Sequence, residues 1–405
     1  GVCLAALVSS CTTSGGTGRF AASSVEEPVI RVLLADGGTS YRIESSGGLT
    51  VQSADGLEIV GSSGRGAGLF SVRGESIQIE MEPDGSLGAV EGEVLIVPNA
   101  KSVLMVDGIA YAGKMRVVPS GGGAMMLINV LPIERYLEGV LPHEIGNPGT
   151  EGYNAVKVQA VAARTYAMGK MDMHKGDVFD VHASVMDQVY RGLKGATKVA
   201  SGAVRDTRGR VMDYEGSMVK AYYSACCGGH TSDIRQVWPN REPAGYLHGV
   251  PDRAAGDDHA FCRAYKRFRW RYGFTGREMG NILRITLPKQ LGVSEEEVGA
   301  VKDMRIDERS HSGRVTRLTI ETTLETFVIE GDRIRWILEP DPKRGRILPS
   351  VMFRLDKVME RDRIAYVSIS GGGNGHGVGM CQNGAIGMAR RGYTYQMILS
   401  HYYPG

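Results

Sequence analysis

The chain has 405 residues, 42% of them hydrophobic and 23% charged, with a formal net charge of +2. That balance excludes a disordered chain and gives no electrostatic reason to expect nucleic-acid binding. No interior stretch is apolar enough to span a bilayer, and the 56 glycines favour strands joined by tight turns.

In chain order, the opening GVCLAALVSSC reads as the tail of an export signal. In Val8-Ser9-Ser10-Cys11, small residues precede a cysteine of the kind that becomes lipidated, and the Ser/Thr/Gly run after it reads as a tether. Residues 1–28 are thus expected to be a signal remnant and tether, with a membrane anchor at Cys11. Residues 29–130 alternate apolar and polar positions in short runs broken by glycine, such as IRVLLA, SIQIEM and GEVLIVP, which predicts an all-β module. This module reads as a scaffold that supports the helical segment after it, or alternatively as a wall-binding surface.

From Leu131 the pattern changes. Pro132 suits a first helical turn, and Ile133, Tyr136, Leu137 and Val140 recur at helical spacing. Pro142 is expected to end that short helix and leave Glu144 in a loop. Thr150 can cap a second helix, from about Glu151 to Lys175, rich in alanine and suited to close packing. Lys157 and Arg164 lie seven apart, on one side of it. A shorter helix is expected between about Gly195 and Thr207, followed by strands leading into CCGGHTSDIRQVW. Residues 277–360 read as a mixed insertion, in which Ser294 before three Glu residues resembles a helix start. The run Gly375-His376-Gly377-Val378-Gly379 is too rich in glycine for a helix. A helix is expected from Gln382 to Arg391, with free N–H groups at its start.

Four stretches in order carry a resemblance: YLEGVLPHEIG…EGYNAVKVQAVAARTYA, Gln188-Val189-Tyr190, YYSACCGGHTSDIRQVW and GHGVGMCQNGAIGMARRG. Together they resemble the SpoIID/LytB family of stage II sporulation protein D and amidase enhancers, over roughly residues 90–405. The resemblance implies an α+β, mainly β fold: a strand-rich N-terminal module and a core with inserted helices. The core would run over 131–276, be interrupted by an α/β insert at 277–360, and resume at 361–405.

On spacing alone, Glu144 reads as a cap for the following helix or a partner for Arg164. The resemblance implies that it is the single catalytic acid of a peptidoglycan lytic transglycosylase, which needs no second carboxylate. It likewise implies substrate-binding roles for Lys157, Arg164, Gln188, Ser224, His376 and Gln382, with no cofactor and no metal at the site. The implied partners are peptidoglycan glycan strands and a cell-wall amidase, in the extracytoplasmic cell envelope. The rival is a non-catalytic binder that stimulates such an amidase; a wall-anchoring scaffold is a third reading. In an oxidising compartment, Cys227 or Cys226 would form a disulfide with Cys262. A zinc site of Cys226, Cys227, His230 and Cys262 is the alternative, and both stay open. Some relatives bind zinc just before the Gln-x-Tyr stretch; Met186 and Asp187 stand there, which implies that this site is absent.

Overall fold

A computed structural model describes residues 3–6 and 27–404, apart from 55, 62, 63, 84 and 100. Cys11 and most of the expected tether lie outside the described residues. Strand periodicity dominates the first third: in Ser76–Glu82, Ile77, Ile79 and Met81 are buried while their neighbours are not. Twelve described strands between Val29 and Pro132 form two sheets with their buried faces in one hydrophobic core. One sheet carries Ser40–Ser45, Gly66–Arg73, Ser76–Glu82 and Leu87–Glu91 in its run of neighbours. The other centres on Val29–Gly38, Ala124–Pro132, Lys114–Gly121 and Val94–Pro98. The fold is mainly β with helices added, as the sequence predicts.

The strand Ala124–Pro132 runs directly into helix α1 (Ile133–Glu144), with Pro132 as its cap residue rather than in its first turn. Pro142 does not end α1. It sits in the last turn, and Glu144 is the last helical residue rather than part of a loop. A turn at Thr150–Gly152 precedes helix α2 (Tyr153–Met173), and Thr150 does not cap it through its side chain. Alanines and valines of α2 are buried around most of its circumference, so α2 is a core helix, not a surface one. Helix α3 (Lys198–Asp206) packs on both, its start capped by Thr197 Oγ1, which accepts the Ala200 N–H at 3.1 Å.

The insert has its own hydrophobic cluster, built from Met279, Leu283, Leu287, Met304, Leu318 and Ile320 among others. Its helix spans Gly276–Leu291, with a capping box between Thr275 and Glu278 and Gly292 at φ +75° after it. Ser294 also forms a capping box, but only a single turn follows, Glu295–Glu297, which buries nothing. The strand Arg363–Gly372 brings the chain back. Met380–Cys381 then pairs in parallel with Tyr223–Ser224, and the helices Gln382–Arg390 and Tyr395–Tyr402 close against α2. No described helix is long and apolar enough to cross a membrane.

Candidate active site

Glu144 stands half-buried at the C-terminal end of α1. Its Oε1 accepts the Val189 N–H at 2.8 Å, and its Oε2 lies 3.5 Å from Gln382 Nε2. The same Gln382 nitrogen donates to Gln159 Oε1, on α2, at 3.2 Å. Burial raises the Glu144 carboxyl above the ordinary carboxylate value; the Val189 N–H and the Gln382 amide, which favour the charged form, pull it part of the way back. Among the described residues, no second carboxylate or cation is hydrogen-bonded or ion-paired to Glu144.

Gln188 is brought close to Glu144, but as part of a buried polar layer. It accepts from Tyr136 Oη at 3.1 Å, and its Nε2 donates to Tyr223 Oη at 3.0 Å and to the Ala163 carbonyl at 3.3 Å. Burial first, and then the nearby Glu144, push both phenols well above their usual range, so they stay neutral.

The two basic residues are engaged away from Glu144. Arg164 is fully buried and forms a two-pronged ion pair with Glu134: Nε to Oε1 at 2.9 Å and Nη2 to Oε2 at 2.6 Å. It also donates to the Arg210 carbonyl at 3.1 Å. Glu134 and Glu144 sit at opposite ends of α1, about 15 Å apart at 1.5 Å per residue. Lys157 pairs with Asp206 at 3.2 Å, its ammonium 4.8 Å from the Tyr153 ring centre.

His376 and Ser224 hold the glycine-rich loop. His376 Nε2–H donates to the Tyr223 carbonyl at 2.9 Å, and Nδ1 accepts the Val378 N–H at 3.0 Å. Both ring nitrogens are thereby used, and neither reaches Glu144. Burial lowers the His376 pKa to about 4, so the ring is neutral near pH 7. Ser224 Oγ accepts the Gly377 N–H at 3.2 Å. Glycine at 377 is required for packing rather than for ligand approach: φ is +81°, and a Cβ there would lie 2.3 Å from Arg314 Nη2. The start of the helix Gln382–Arg390 is not free either, since Cys381 Sγ accepts the Gly384 N–H and the Asn383 N–H bonds the Ala225 carbonyl.

Sequence reasoning missed Val189, which acts through its backbone, and Gln159, a neutral residue inside an apolar helix. It also missed a cleft of about 370 Å³ lined by Ile145, Asn147, Arg263, Tyr265, Asn383 and Arg390, next in sequence to Glu144 and Gln382. A larger cleft, about 640 Å³, is lined by Lys170, His174 and Asp187 and not by Glu144. Asp187 there is already engaged by Lys170 at 2.8 Å, by Tyr166 Oη at 2.8 Å and by the His182 N–H at 2.9 Å. Cys226, Cys227, Cys262 and Cys381 are buried free thiols. Cys227 and Cys262 are 3.8 Å apart at sulfur, too far for a disulfide. His230 turns away, its Nδ1–H donating to the Thr231 carbonyl at 2.7 Å.

Residues 121–214 match the family model described as stage II sporulation protein, and residues 236–379 match a domain of unknown function, DUF8618. An uncharacterized protein of Brachyspira hyodysenteriae is 32% identical over 317 residues, 76% of this chain and 75% of that protein. The amidase enhancer of Bacillus subtilis is 29% identical over 66% of this chain, which spans only 39% of that relative's length. Stage II sporulation protein D of Bacillus subtilis is 26% identical over 71% of this chain and 77% of that protein. With Glu144, Gln188 and Gln382 gathered from separate motifs into one site, these matches establish that the chain belongs to the SpoIID family.

Proposed function

We propose that the protein is a peptidoglycan lytic transglycosylase with Glu144 as its acid and base. The observation that carries this reading is one half-buried carboxyl of raised pKa whose two oxygens face fixed donors, with no second carboxylate hydrogen-bonded to it among the described residues. Hydrolytic glycosidases ordinarily need two carboxyl groups, about 5–9.5 Å apart. A transglycosylase needs one. Protonated Glu144 gives its proton to the glycosidic oxygen between N-acetylmuramic acid and N-acetylglucosamine as the bond to C1 breaks. The C6 hydroxyl of the same muramic acid then attacks C1, and the Glu144 carboxylate takes its proton. The C1–O4 bond is exchanged for a C1–O6 bond, a 1,6-anhydro end forms, and no water is consumed. The Val189 N–H and the Gln382 amide are aimed at the carboxylate that appears when the proton leaves. Gln382 is kept as a residue beside the substrate; Arg263, Tyr265 and Arg390 of the adjacent cleft replace Lys157 and Arg164 as groups for sugar and lactyl oxygens.

The second reading is a non-catalytic enhancer of a wall amidase, favoured by the similarity to a protein of that name. On either reading the protein works outside the cytoplasm, on the cell wall, held to a membrane through Cys11. The test is digestion of purified peptidoglycan followed by product analysis. Anhydro-muropeptides that disappear with Glu144→Gln support the enzyme. Intact glycans, with faster cleavage by an added amidase, support the enhancer.

A further inference from the structure

We propose that Cys227, Asp252, Cys262 and Cys381 bind one zinc ion that ties three distant segments of the core together. One ligand atom from each lies within 4.8 Å of all the others, and all four residues are buried. A tetrahedral ion with metal–sulfur bonds of about 2.3 Å has sulfur–sulfur edges of roughly 3.8 Å. The Cys227 and Cys262 sulfurs are 3.8 Å apart. That spacing suits a single ion: it is too long for a disulfide and leaves no room for a multi-iron cluster. Three cysteine sulfurs and a carboxylate are a ligand set that selects zinc, and the burial of all four residues makes the site a closed, structural one.

The surroundings are those of an anion. Cys381 Sγ accepts N–H groups from Cys227 and Gly384, each at 3.2 Å, and Cys227 Sγ accepts the Gly229 N–H at 3.4 Å. The Asp252 carboxylate is oriented by the Cys262 N–H at 3.0 Å and by Tyr402 Oη at 2.5 Å, as ligating carboxylates are. Cys226, buried next in the chain to Cys227, is not one of the four converging ligands.

An independent observation points the same way. Arg314 is buried, and among the described residues no acid lies within ion-pair distance of it; Asp332 acts on it only from further away. Its Nη2 donates to the Cys227 carbonyl at 2.7 Å, its Nη1 to the His230 carbonyl at 2.8 Å, and its Nε to nothing. A buried guanidinium without a counter-charge is strongly unfavourable. Neutral thiols or a disulfide would leave it only the more distant Asp332, whereas three thiolates and a carboxylate around a dication carry net negative charge beside it. The ion would also lock Cys381, and with it Gln382, the residue that faces Glu144.

The test is elemental analysis of the full chain purified without chelator, with zinc release followed while the thiols are titrated with a mercurial. The expected result is one zinc per chain, released in step with the thiols that react, and tetrahedral thiolate bands in the visible spectrum after cobalt substitution. Cys262→Ser and Asp252→Asn should lose the metal and Cys226→Ser should keep it. Zinc far below one per chain, or a Cys227–Cys262 disulfide in peptide maps of the unreduced wild type, overturns the site. Zinc retained by Asp252→Asn but lost by Cys226→Ser overturns the ligand set. No measurement uses substrate, so the outcome is separate from that of the transglycosylase assay.

Discussion

Glu144 combines two opposed influences: burial favours its protonated form, while two donors favour its charged form. The protonated fraction therefore persists to higher pH than for an exposed carboxyl, and activity should fall as pH rises through the raised value. The same sign holds for stability. The folded chain binds this proton more tightly than the unfolded chain, so the contribution is full at low pH and is lost as pH climbs through the folded-state value. Gln382→Leu removes a donor to the carboxylate and should move the basic limb of the pH–rate profile upward. The 3.5 Å contact is long, so the move should be less than about one pKa unit; a downward move contradicts the arrangement. For Arg164, truncation to Met should cost about 3–5 kcal/mol in denaturant unfolding, because it strands Glu134 in the interior. Folded Arg164→Met should keep its KM; unchanged stability with a raised KM would return Arg164 to the substrate. The sequence showed that Arg164 and Lys157 share a side of α2. It could not show which of the three acids of α1, Glu134, Glu138 or Glu144, that side meets, because helix spacing carries no information about the register between helices.

At the scale of elements, the close passage of the segment after Gln188 over α1 decides where the Val189 N–H points. Gly139 makes room for it: a Cβ there would lie 2.3 Å from the Gly192 carbonyl oxygen and 2.6 Å from the Tyr190 ring. Gly139→Ala should therefore cost about 1–3 kcal/mol of stability, as overpacking does. It should also lower kcat by displacing the Val189 donor; full activity at reduced stability would show that this donor is dispensable. Elements governed by a local period were legible, as in Ser76–Glu82. Ends governed by packing were not. Pro142 lacks an N–H and disfavours helix at Leu141, yet α1 continues, because Val140, Leu141 and Ile145 are all buried in the core. Thr275 and Ser294 both form capping boxes, but one starts a helix of sixteen residues and the other a single turn. The cap marks where a helix can begin; the apolar face behind it, present after Thr275 and absent after Ser294, decides how far it runs.

At the scale of the whole molecule, the site joins residues up to 238 positions apart. The intervening insert folds around its own hydrophobic cluster and returns the chain to the core through Arg363–Gly372. The mainly β architecture was readable from alternation and glycine content. The assembly of Glu144, Gln159, Val189 and Gln382 was not, since it depends on long-range pairings such as that of Tyr223–Ser224 with Met380–Cys381. The central claim is that one carboxyl group does the work of acid and base on glycan strands. It is tested most directly by mass analysis of purified peptidoglycan digested with wild type and with Glu144→Gln. The expected result is 1,6-anhydro-muropeptides from the wild type and a fall of roughly 10²–10⁴-fold in the variant. Glycan strands left uncut by a folded wild type, or anhydro products unchanged in the variant, would contradict it.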